Sequence, residues 1–185
     1  MPHHWLIEAY DYFKKILKKS KNDSHRIISK EVLFMKTIII KPHHFIDIIK
    51  LYGSGIDYFV PDDKMGHDFY KIANDIINHP DVKIILTIEA DDICQPCYQF
   101  HKRCIDKITS ISGIISKDTY NQLLDTRIIS VYSLDQNYDA LSLCQILYKH
   151  HEYIDQIWQE EDQNLTKRRH DFFVAGAKKY LKRYL

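Results

Sequence analysis

Lys36-Thr37-Ile38-Ile39-Ile40-Lys41-Pro42-His43-His44 is the stretch whose reading decides the fold. Its first half is short, β-branched and flanked by lysines, which predicts a strand over 36–41. Its second half opens a helix. Pro42 suits the first helical turn, where its missing N–H is no loss, and Phe45, Ile46, Ile48, Ile49 and Leu51 follow. Gly53 stands where a C-terminal cap is expected. Downstream, Phe69, Ile72, Ala73, Ile76 and Ile77 form the apolar stripe of a helix over 67–77, which Pro80 prevents from continuing. Val82, Ile84, Leu86 and Ile88 then alternate with more polar residues, predicting a second strand over 82–89. Two strands joined through helices allow parallel pairing, which would bring the loops at their C-terminal ends together. Those loops are Pro42-His43-His44 and Asp91-Asp92-Ile93-Cys94.

The second loop concentrates the chemistry of the chain. Asp91-Asp92-Ile93-Cys94-Gln95-Pro96-Cys97 is followed by Cys104, so three of the four cysteines lie in one short window behind two acids. Two residues between Cys94 and Cys97 let a tight turn aim both sulfurs at one soft cation. Cys104 supplies a third sulfur, and His101 between them is a candidate fourth ligand. On the first helix, His43 and Asp47 are four apart and His44 and Asp47 three apart, so a histidine and a carboxylate can share a metal or orient one another. The plainer alternatives are histidines that fill a helix start and cysteines that are structural thiols. The predicted site is therefore in two parts: Cys94, Cys97 and Cys104, facing His43, His44 and Asp47, with His101 close by. Cys144 falls on a later apolar stripe and reads as a small buried hydrophobe.

The chain has 185 residues, 45% of them apolar, and a formal charge of +1 from 26 basic and 25 acidic side chains. That balance gives no global push towards nucleic acid or membrane. The first residues do not read as a signal peptide, and no run approaches a membrane span, so a cytoplasmic protein with reduced thiols is expected. Residues 4–19 read as an amphipathic helix, and 1–34 as an arm and linker ahead of one domain over 35–185. From Tyr138 to Trp158 the chain reads as helix, then as a last helix carrying Leu165, Phe172, Phe173, Ala177 and Leu181 with a basic outer face. The fold class expected is α+β and mostly helical, a short sheet packed with several helices and a long helical tail.

Lys41-Pro42-His43-His44, Gly53-x-Gly55, Asp91-Asp92-Ile93-Cys94-x-Pro96-Cys97 and Cys104 together resemble a small prokaryotic family. That family carries K/R-P-H-H and D-D-I-C-x-P-C motifs, and is catalogued as a domain of unknown function described as iron–sulfur binding. The resemblance covers residues 36–125. It implies an iron–sulfur centre, a four-iron, four-sulfur cluster, at the cysteine loop. Where the family has a cysteine, this chain has Asp47, so Asp47 would take the fourth ligand position through oxygen. On this reading the protein acts in electron transfer or as a cluster-dependent enzyme, with an unidentified redox or protein partner. The alternative is a binding or regulatory module with a structural zinc on Cys94, Cys97, Cys104 and a histidine. A third reading has His43, His44 and Asp47 in acid–base work.

Overall fold

The short β-branched run folds as strand β1 (Thr37–Ile40), with Ile38 and Ile40 fully buried and Ile39 turned outward. The computed structural model describes residues 36–108, 111, 113 and 116–185; the arm expected over 1–34 lies outside them. Helix α1 (Pro42–Gly53) begins at its proline and buries Phe45, Ile46, Ile48, Ile49 and Tyr52, the three- and four-residue spacing of one helical face. Helix α2 (Phe69–Asn78) follows and leads into β2 (Lys83–Leu86). Strand β2 pairs with β1 in parallel, from Thr37 opposite Lys83 to Ile40 opposite Leu86. The β1–helices–β2 unit is thus the parallel crossover that the spacing of apolar segments predicts.

Strand β3 (Phe100–His101) and β4 (Arg103–Cys104) form a minimal antiparallel hairpin that turns at Lys102, whose φ of 66° is left-handed. Helix α3 (Lys117–Tyr132) starts at Ser116, whose hydroxyl accepts the Thr119 N–H, as a serine cap should. The sheet then gains a member that periodicity did not reveal. Asn137–Asp139 forms β5, antiparallel to β2, so the strand order is β1-β2-β5. The helix expected from Tyr138 to Trp158 is therefore divided. After β5 come α4 (Ala140–Lys149) and a 3-10 turn (His151–Gln156). Asp139 ends the strand and caps α4, accepting the Ser142 N–H, which explains the abrupt change.

Helix α5 (Gln163–Tyr184) closes the fold, capped by Asp162. It buries Phe173, Ala177 and Tyr180 and packs most extensively on α1. The two helices nearly touch at glycines. A Cβ at Gly53 would stand 2.0 Å from the Phe172 carbonyl oxygen, and one at Gly176 would stand 1.9 Å from that of Ile49. Gly53 is therefore not the left-handed cap expected; it lies inside the helix, Ser54 follows it, and its role is close approach. Arg169 also departs from the basic outer face. It pairs with Asp47 and Glu161 and stacks over Trp158. The overall class is the mostly helical α+β fold expected, with a mixed three-stranded sheet. Among the described residues no helix is long and apolar enough to cross a membrane.

Candidate metal centre

The loop after β2 comes back to the free edge of β1. Parallel pairing uses one edge of β1, and the amides of Ile39 and Lys41 point to the other. Asp92 covers the first of these: its carboxylate accepts the Ile39 N–H at 2.8 Å, and its own N–H donates to the Ile39 carbonyl at 3.0 Å. Asp91 covers the second, accepting the Lys41 N–H at 2.9 Å. The two acids thus satisfy an exposed strand edge as a further strand would, and they hold the cysteine loop against the start of α1.

Asp91 does more than clamp the backbone. Its Oδ2 also lies 2.6 Å from Nδ1 of His44, and its Oδ1 accepts the Cys94 N–H at 3.0 Å. Burial works against its charge, yet the His44 ring and the Lys41 amide hold its carboxyl well below the usual carboxylate range. Burial and the neighbouring His43 ring outweigh Asp91 at His44, which is held below its ordinary value of 6.5 and is neutral at neutral pH. A carboxylate only accepts, so the His44 proton lies on Nδ1. Burial and then the Asp91 charge push the Cys94 thiol up to about 12, against the opposing charge of Lys41. Ligand atoms of His44, Asp91 and Cys94 all lie within 4.8 Å of one another, so the three residues form a group able to hold a metal ion.

A second histidine–aspartate pair stands beside the first. His43 is buried, and its Nδ1 lies 2.8 and 2.9 Å from the two oxygens of Asp125, a fully buried residue of α3. Asp125 also accepts the His43 N–H at 2.9 Å, satisfying one of the free amides at the start of α1. The rings of His43 and His44 are 4.2 Å apart.

The predicted site residues are distributed as follows. His44 and Cys94 come together, with Asp91 between them. Cys104 shares with Cys94 a cleft of about 290 Å³. Cys97 is half-buried and its N–H closes the turn onto the Cys94 carbonyl, but it is outside the three-residue group. His101 is exposed on the hairpin. Asp47 also stands apart from that group. Three residues on from His44 it is carried about 4.5 Å along the helix axis, where it pairs with Lys50 and with Arg169 at 3.0 Å. Burial opposes its charge, but those two cations hold its carboxyl below the usual range. Its partners belong to helix packing, and nothing in its contacts gives it the fourth ligand position.

Sequence reasoning did not nominate Asp91, Asp125 or Lys41. Asp125 left a legible trace: an acid within the apolar stripe of Tyr120, Leu124 and Ile128 is costly to bury unless it has a partner. Asp91 was read as part of a motif, without a role of its own.

The donor set fits a transition metal. A neutral imidazole, a carboxylate and a thiol mix nitrogen, oxygen and sulfur, which suits zinc or iron better than calcium or magnesium. Three protein ligands is the count at which zinc keeps a position for an outside molecule, whereas structural zinc sites close with four. No family model matches the chain, and no curated protein and no solved structure matches it.

Proposed function

We propose that this chain is a metal-binding protein whose centre is a single zinc or iron ion held by His44, Asp91 and Cys94. The observation that carries the reading is the convergence of three chemically different ligand atoms within 4.8 Å, drawn from a helix start and a loop about fifty residues apart in sequence. Each residue suits its part. His44 is already neutral, Asp91 is already ionised, and Cys94 would lose its proton on binding, so uptake of metal releases a proton. The His43–Asp125 pair fixes the first turn of α1 and so the position from which His44 projects.

A second reading keeps the iron–sulfur cluster implied by the resemblance on Cys94, Cys97 and Cys104, with His44 in place of Asp47 as the fourth ligand. It is favoured by one observation: Cys94 and Cys104 line a common cleft with Lys41, Lys102 and Arg103, cations that would offset the negative charge of a cluster. The two readings separate cleanly. The protein is purified without oxygen and analysed for metal and acid-labile sulfide, beside Cys94→Ser, Cys97→Ser and Cys104→Ser. One equivalent of metal without sulfide, lost in Cys94→Ser and kept in Cys97→Ser, supports the single ion. A brown protein with sulfide, bleached by all three substitutions, supports the cluster. Metal-free protein from medium supplemented with both metals would overturn both.

A further inference from the structure

Lys41 is a buried lysine with almost nothing to neutralise it. The residue is 3% exposed, and among the described residues its ammonium has one hydrogen-bond partner, the Cys94 sulfur at 3.9 Å. A thiol is a weak acceptor, and an ammonium carries three donors. Burying a cation is costly unless a counter-charge or strong acceptors replace water. Among the described residues the usual solution, a carboxylate paired with the ammonium, is missing: Asp91 takes the Lys41 backbone N–H, while Lys41 lines the cleft.

The charges around that cleft are nearly balanced without Lys41. Lys102 and Arg103 stand on the hairpin, Glu89 and Asp118 on neighbouring segments, and the two signs cancel. The metal group cancels as well once occupied, since a divalent ion is matched by the Cys94 thiolate and Asp91. One positive charge, that of Lys41, is left at a partly open cleft of about 290 Å³, enough for a small molecule. Arg103, exposed at the mouth, adds a forked donor matched to two oxygens.

We propose that this cleft is the binding site for a small oxyanion, a carboxylate or phosphate group, held by the Lys41 ammonium at its buried end and by Arg103 at its mouth. The oxyanion-bearing molecule is the outside ligand of the same centre, and in that respect the proposal rests on the single-ion reading above. Lys41 is the binding residue; Cys94 joins the two sites, its sulfur both contacting the ammonium and belonging to the metal group.

The test titrates inorganic phosphate and, separately, acetate into metal-free and zinc-loaded full-length protein, following the thermal midpoint with sodium chloride of equal ionic strength as control. The variants are Lys41→Met, which keeps an unbranched apolar stem and removes the charge, and the surface substitution Arg103→Gln, with circular dichroism confirming the fold of each. The expected result is a saturable rise in midpoint with at least one of the two anions, its apparent affinity weakened about tenfold to a hundredfold in Lys41→Met and less in Arg103→Gln. Preference between the anions identifies which group the site takes. A rise reproduced by chloride, a response unchanged in both variants, or no response to either anion overturns the proposal. If Lys41→Met does not fold, Arg103→Gln decides alone. Zinc uptake with no anion response leaves the metal reading standing and removes this one; an anion response without zinc uptake keeps this one and removes the zinc form of that reading.

Discussion

His43 and His44 are neighbours in sequence, each bound through Nδ1 to an aspartate, yet the two pairs do different work. His43–Asp125 lies in the core, with His43 6% exposed and Asp125 0%, and ties α1 to α3. His44–Asp91 ties α1 to the cysteine loop, and its carboxylate also holds Lys41 and the amide of Cys94. One step along a helix turns a side chain by about 100°, enough to send adjacent identical residues to a helix packing surface and to a group able to hold a metal. Residue type supplies the chemistry, and the direction it faces assigns the task.

That contrast can be broken in order of expected effect. Asp125→Ala strands a buried imidazole and a helix-start amide, and should lower unfolding free energy by about 3–5 kcal/mol in denaturant titration; an effect under about 1 kcal/mol would remove His43–Asp125 as the structural pair. Asp91→Asn should act on the other side of the comparison. It should weaken zinc binding at least about tenfold to a hundredfold by calorimetry, with a smaller loss of stability than Asp125→Ala. Gly176→Ala tests the frame that holds both pairs: the added methyl meets the Ile49 carbonyl, so α1 must shift, at a cost of about 1–3 kcal/mol.

The pH dependence of the metal-free protein sharpens the comparison further. His44 is held below its ordinary 6.5 in the fold, so the unfolded chain takes up the proton first. Its contribution to stability is complete above about 6.5 and declines as pH falls below that value. Cys94 is pushed the other way, from 9.0 to about 12, so its contribution is complete below about 9 and declines as pH rises towards 12. Thermal midpoints across pH should therefore show a plateau between these limits, and His44→Gln should flatten the acid limb. The smallest effect expected is that of Asp47→Ala. It should lose about 1 kcal/mol or less from its pairs with Arg169 and Lys50 and leave zinc affinity unchanged; a tenfold loss of affinity would restore Asp47 as a ligand.

Much of this site was legible because local rules and topology agreed. The run Thr37–Ile40 could be read as a strand and Pro42 as a helix start from side-chain chemistry alone, and parallel pairing followed from what lay between the strands. Asn137–Asp139 was not legible. Three residues with one tyrosine carry no alternation, and the segment is a strand because β2 offers it an open edge. Gly53 misled for a related reason: a glycine at a helix end usually marks a cap, and only the crossing of α5 shows that it is there to let two backbones meet.

By itself the sequence determined the mostly helical α+β class, the parallel strand pair and the meeting of the histidine loop with the cysteine loop, since these depend on periodicity, turn chemistry and chain connectivity. Tertiary structure alone decided which residues of those loops face one another. It brought Asp91 to His44 and Cys94, turned Asp47 towards Arg169, gave His43 to Asp125, and left the Lys41 ammonium at the end of a cleft. Side-chain direction and burial depend on segments between 47 and 122 residues away, and no local pattern carries that information.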